Sequence, residues 1–162
     1  MAALGLISSD APYKEMGTEW VEKMYGAASV TEEHALARTK HSAEEMKAGY
    51  SAMSKPDRKE TALADLANAI QQGYHGAAQD SVLEAGEWDF RLEEVTVPTL
   101  MWHGDKDTDV PLEAAEYLKA QIGPAVKDLA VLEGENHTLI RRHWLKILQG
   151  VVALAKSSSA SL

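Results

Sequence analysis

Apolar residues along this chain recur with two different periods, and the period changes twice. Residues 2–7 (Ala-Ala-Leu-Gly-Leu-Ile) form an unbroken apolar run that ends at Ser8-Ser9-Asp10-Ala11-Pro12. A run that short, bounded by turn formers, predicts a buried strand. From 13 to 86 apolar positions fall three and four apart: Tyr13, Met16, Trp20 and Met24; Leu36, Ala43, Met46, Tyr50 and Met53; Leu63, Leu66, Ala67, Ile70 and Tyr74. That spacing lines one side of a helix, so three or four helices and no strand are predicted here. Ser29 followed by Glu32 suits a capping box, Pro56 suits the opening of a helix, and Gly26, Gly73 and Gly76 punctuate the pattern.

After 87 the pattern changes again. Val95-Thr-Val-Pro-Thr-Leu-Met-Trp-His103 is a strand-like run with Pro98 at its entry, and Gly104 to Pro111 is a polar turn holding three aspartates. Residues 112–122 read as a helix that Gly123-Pro124 stops, and Leu129 to Leu132 as a second short buried strand. Gly134-Glu-Asn-His137 follows; then Ile140, Trp144, Ile147, Leu148 and Val151 mark an amphipathic helix to about 155. The serine-rich end, 157–162, is predicted to be disordered. The order strand, helices, strand, helix, strand, helix is that of a parallel α/β sheet with right-handed crossovers.

Composition narrows the picture only slightly. The 162 residues suffice for one domain with a real core, and 45% hydrophobic with 25% charged is ordinary globular composition. The net charge of -9 argues against nucleic acid or an anionic membrane surface as partner, since both would repel the chain. With no cysteine there is neither a disulfide framework nor a thiolate metal site, which fits a cytoplasmic location. The first residues lack the basic region of a signal peptide, and no run approaches the ~18 apolar residues of a membrane span.

In a parallel sheet, functional residues gather in the loops after the C-terminal ends of strands. Two such loops carry titratable groups here: Gly104-Asp-Lys-Asp-Thr-Asp-Val-Pro111 and Gly134-Glu-Asn-His137. If their strands are neighbours, an acid from one can orient a histidine from the other and stabilise the imidazolium formed when it takes a proton.

These segments resemble the α/β-hydrolase family. Val97-Pro-Thr-Leu-Met-Trp-His-Gly104, then Asp107 and Val110-Pro111, is similar to the family's acid-bearing loop, and Val131-Leu-Glu-Gly-Glu-Asn-His137 to its strand-Gly-x-x-His loop. The two residues lie 30 apart, room for one helix and one strand. Gly76-Ala-Ala-Gln-Asp80 and Trp88-Asp-Phe resemble a branch of these hydrolases often labelled peptidase-like.

The resemblance implies a serine hydrolase acting on an ester, amide or related acyl bond of a small molecule, with no cofactor and no metal. It makes Asp107 the triad acid and His137 the general base. The family order is serine, then acid, then histidine, and no Gly-x-Ser-x-Gly elbow occurs in this sequence. The implied fold is therefore the C-terminal three parallel strands of an α/β-hydrolase sheet with an inserted helical cap. Residues 1–12 would hold its first strand, 13–86 the cap, 87–156 the rest of the core and 157–162 the tail. Such a chain is expected to be inactive by itself and to self-associate through its exposed sheet edge. The alternative is a non-catalytic protein of that fold that binds a small ligand or serves as an interaction module.

Plainer roles compete at each position. Asp107 could be only a turn residue, as Asp105 and Asp109 are expected to be, and Asp105 is its rival as the acid. Ser8 and Ser9 follow a strand but lack the glycines that expose an elbow nucleophile. His103 is expected to be structural, and His34, His41 and His75 sit without partners at metal-ligand spacing. Trp20, Met24, Tyr50 and Met53 are expected to pack, and Arg141 and Arg142 to face solvent.

Overall fold

The computed structural model describes residues 2–159. Two compact units divide the chain: Met1–Ala11 together with Asp89–Leu162, and Pro12–Trp88.

The first unit is built on three parallel strands, β1 (Leu4–Ile7), β2 (Thr99–Gly104) and β3 (Val126–Leu132), in the order β1-β2-β3. Leu4 pairs with Thr99 and Ile7 with Trp102, while Leu100 pairs with Asp128 and Gly104 with Leu132. A register shift between Thr99 and Leu100 makes Lys127 an extra residue on β3. β2 is paired on both sides, and all its residues except Leu100 are buried. β1 and β3 are edges among the described residues, and their side chains stay largely half-covered rather than buried as predicted. An edge strand has no neighbouring side chains on its outer flank to close over it.

Helices α6 (Leu112–Ile122) and α7 (Ile140–Ser159) pack on this sheet. Trp102, Leu139 and Ile147 form the buried centre of one cluster, with Ile7, Leu100, Ala130, Leu132 and Val151 around it. A Cβ on Gly150 would meet Trp102 at 3.3 Å, so the absence of a side chain lets α7 lie close over the indole. α6 buries Ala114, Ala115, Leu118 and Ile122, one helical stripe, and ends at Gly123, whose φ is +66°.

The second unit is helical: α1 (Tyr13–Met16), α2 (Thr18–Tyr25), α3 (Glu32–Ser51), α4 (Pro56–Ala69) and α5 (His75–Glu84). Gly17, at φ +130°, separates α1 from α2, so the predicted stripe Tyr13–Met24 is broken in two. Tyr13, Val21 and Tyr25 are the buried residues of α1 and α2. The Tyr13 and Tyr25 rings meet edge to face with centroids 6.2 Å apart, and the His34 ring donates from Nε2 to the Tyr25 carbonyl at 2.9 Å. A cavity of about 530 Å³ lies among α3, α4 and the turn into α5, with Met46, Leu66, Ile70 and Tyr74 in its lining.

Several boundaries differ from the sequence pattern. β2 starts at Thr99 and not at Val95: a 3₁₀ turn spans Leu92–Glu94, and Pro98, which has no N–H to give a ladder, directly precedes the strand. β3 starts three residues early, at Val126, because Thr99 and Leu100 offer partners that a local pattern cannot reveal. α7 runs on to Ser159 where disorder was predicted from 157, Ser157 donating from its hydroxyl to the Leu154 carbonyl; 160–162 lie outside the described residues. Its buried residue is Ile147, whereas Trp144 and Leu148, expected on the same stripe, are 55% and 43% exposed. The cap of α3 is Thr31, whose Oγ1 accepts the His34 N–H at 3.2 Å, and not Ser29.

Replacing Thr31 by Ala removes that acceptor and is expected to cost ~1 kcal/mol in denaturant unfolding. Ser29→Ala should change almost nothing. Equal effects from the two variants would place the cap elsewhere.

Candidate active site

β2 and β3 are neighbours and end level with each other, so the two loops leave the sheet side by side. Backbone bonds stitch them together: Asp105 N–H donates to Leu132 O at 3.2 Å and Lys106 N–H to Glu135 O at 2.9 Å. Asp105 adds a side-chain link, its Oδ1 accepting the Gly134 N–H at 2.6 Å. The Glu135 carbonyl lies directly over Gly104, where any Cβ would overlap it. Only glycine permits that approach.

Asp107 sits in the loop after β2 with its side chain fully covered. Its Oδ1 accepts two backbone N–H groups, from Asp109 at 3.0 Å and Val110 at 2.9 Å. Its Oδ2 faces His137 Nδ1 at 3.1 Å, and the histidine side chain is 40% exposed. Because a carboxylate only accepts, His137 carries its proton on Nδ1 in this pair and leaves the Nε2 lone pair free. Nε2 has no hydrogen-bond partner among the described residues. Asn136 shapes the turn that presents the ring: its Oδ1 accepts from Thr138 N–H and Oγ1–H, just before α7 begins.

Burial is the strongest single influence on the Asp107 carboxyl and pushes its pKa up. The N–H groups of Val110 and Asp109, His137 and the nearby Ser8 hydroxyl together outweigh it, so the net shift is downward. Asp107 is thus a carboxylate at neutral pH despite being covered.

Ser8, at the end of β1, is buried, has φ +46°, and its Oγ completes no hydrogen bond of good length and angle. Its neighbour is Asp107, and neither Ser8 nor Ser9 bonds to His137 among the described residues. Nothing in the sequence pattern pointed to Ser8 standing beside Asp107; the parallel pairing of β1 with β2 puts it there. Asp105, the rival acid, serves as the loop-to-loop clasp and makes no bond to His137. A second carboxylate–imidazole pair was not foreseen: Glu135 accepts from His143 Nε2 at 3.1 Å and from Arg142 at 3.2 Å, tying the histidine loop to α7. His143 first, and Arg142 after it, hold the Glu135 carboxyl below its ordinary value. Arg142, expected to be only solvated, is thereby engaged.

Asp107, Asp109 and His137 offer three ligand atoms within 4.8 Å of one another. Both Asp107 oxygens already accept N–H donors, so the group is organised as a hydrogen-bonded relay from Val110 to His137.

The depressed Asp107 pKa has a definite stability consequence. A carboxyl lowered on folding contributes stability that is complete above its unfolded-state pKa and lost as pH falls through the folded-state one. Denaturant midpoints of the wild type and Asp107→Asn, measured from neutral pH into the acid range, should therefore converge on acidification. A gap independent of pH would refute the shift.

No family model and no curated protein matches the chain in sequence. Among solved structures, a bromoperoxidase from Bacillus anthracis superposes with a TM-score of 0.58 at 19% identity, over 96% of this chain and 58% of that one. An esterase from Exiguobacterium antarcticum does so at 0.53 and 19%, over 94% of this chain and 57% of the other. This chain thus spans less than three fifths of the length of either protein. Both have the α/β-hydrolase fold, and this mixed α/β chain with its three parallel strands matches part of that fold.

Proposed function

We propose that this chain supplies the acid and the general base of a serine-type acyl hydrolase, with Asp107 and His137 in those roles. What supports the reading is one observation above others: His137 Nδ1 stands 3.1 Å from a covered carboxylate while Nε2 is left unpartnered. In the proposed reaction Nε2 takes the proton of a serine hydroxyl as its Oγ attacks the acyl carbon. The imidazolium, steadied by Asp107, then passes that proton to the leaving alkoxide or amine. Water hydrolyses the acyl-enzyme by the same route, regenerating serine.

The serine and its oxyanion hole are not among these 162 residues in this reading, which treats them as the C-terminal part of the enzyme; residues 13–86 take the role of the family's helical cap. A small-molecule ester or amide is the proposed substrate class, with no metal or organic cofactor in the chemistry. A second reading, a non-catalytic small-ligand binder of the same fold, is favoured by the cavity of about 530 Å³ in the helical unit, a size ordinary for ligand pockets.

A fluorophosphonate probe separates the two. The 162-residue chain should take no covalent label. A chain extended through an in-frame Gly-x-Ser-x-Gly elbow encoded upstream should be labelled at that serine, and Asp107→Asn should lower its kcat by about 10⁴-fold. Labelling of the short chain would refute the missing-nucleophile part; an extended chain that takes no label yet binds an apolar ligand unchanged would favour the second reading.

In the same reading the outer side of β1, which pairs only with β2 among the described residues, is an exposed template for another chain. Sedimentation velocity of the short chain is expected to show concentration-dependent dimers. A single monomeric boundary across the range would count against self-association.

A further inference from the structure

Beside the Asp107–His137 pair lies a second histidine that the proposed chemistry does not use. His103, on β2, is fully buried. Its Nε2 is 3.0 Å from the Val110 carbonyl and 3.7 Å from Asp107 Oδ2, the oxygen that also faces His137. Its Nδ1 is buried without a hydrogen-bond partner. A carbonyl only accepts, so Nε2 bears the proton and the orphan Nδ1 is a lone pair.

Val110 is held from both sides. Its carbonyl accepts from His103, and its N–H donates to Asp107 Oδ1 at 2.9 Å. The three residues form one cluster: the imidazole donates to the Val110 carbonyl, the Val110 N–H donates to the carboxylate, and the carboxylate's other oxygen lies 3.7 Å from the imidazole. A buried imidazole with one nitrogen unsatisfied carries a desolvation cost that a hydrophobic residue of the same size would avoid. Packing alone therefore gives no reason for a histidine there.

We propose that His103 is a positioning residue for the acid, aiming the Val110 N–H at Asp107 and limiting rotation of the carboxylate whose other oxygen orients His137. This rests on the acid–base reading given above. The groups that face the carboxylate are the N–H groups of Asp109 and Val110, the His103 and His137 rings, and the Ser8 hydroxyl. Asp105 and Lys106 pair with each other and with the Gly134 turn, and Glu135 with His143 and Arg142. His103 is the one side chain in this set that bonds to Val110, whose N–H holds the carboxylate, and also lies beside the carboxylate, 3.7 Å from Oδ2.

The test is NMR on the intact chain, comparing wild type, His103→Leu and His103→Gln, the last keeping an N–H donor near Nε2. In the wild type ¹⁵N shifts should report His103 as the Nε2–H form, and His137 as Nδ1–H. In His103→Leu the Val110 amide should exchange faster relative to its neighbours in the loop, and the Asp107 carboxyl should titrate higher, because the Val110 N–H is no longer held toward it. His103→Gln should restore both. An unchanged Asp107 titration and Val110 exchange in His103→Leu overturns the proposal, because a merely structural histidine would alter global stability without moving either. If His103→Leu does not fold, the wild-type spectrum still decides: an Nδ1–H form of His103 overturns the proposal. A wild-type His137 found as Nε2–H overturns the acid–base reading instead, leaving the two failures distinct.

Discussion

Parallel pairing of β2 with β3, carried through to Gly104 opposite Leu132, is the constraint on which the candidate site rests. Because both strands end at the same level, the ladder continues past them as Asp105 N–H to Leu132 O and Lys106 N–H to Glu135 O. Each bond brings the histidine loop closer to the aspartate loop, until the Glu135 carbonyl rests on the bare Cα of Gly104. A side chain at 104 would force the loops apart, and the 3.1 Å separation of Asp107 and His137 would open with them. Asp105, clasping Gly134 from the side, resists the same opening.

Within that frame the chemistry is a contest between burial and hydrogen bonding. Covering a carboxylate disfavours its charge, and that influence is the largest acting on Asp107. Two backbone N–H groups on Oδ1 and an imidazole on Oδ2 reverse the outcome, so the acid stays ionised where it is sheltered from water. A charge held this way acts more strongly on its partner than an exposed one, because little water intervenes to screen it. Glu135 and His143 repeat the motif nearby, but there the partners are fastened to α7 and serve the loop's attachment.

How far the sequence could be read depended on whether the deciding contacts were local. The helices of 13–86, the stop at Gly123 and the opening of α4 at Pro56 follow from spacing, backbone preference and a missing N–H, all properties of neighbouring residues. Asp107 and His137 were legible for a related reason: each belongs to a short motif whose geometry is set by its own strand end. Thr31 rather than Ser29 at the head of α3 turned on where the helix begins, a matter of two residues that a capping pattern alone does not resolve. Nothing local marked the partners of Ser8 or Glu135, because they are brought up by another strand and by α7.

The sequence by itself determined the alternation of strand and helix, the two loops that carry titratable groups, and the lack of a nucleophile elbow within these residues. Those are statements about spacing and composition, and spacing is a one-dimensional property. Tertiary structure decided the rest: which face of α7 is covered, where β3 begins, which of three aspartates meets the histidine, and which groups hold that carboxylate ionised. Apart from the Asp109 and Val110 N–H groups, which are local to Asp107, these features rest on contacts between residues well separated in the chain, and in the sheet one shifted residue would turn every side chain of a strand to the opposite face.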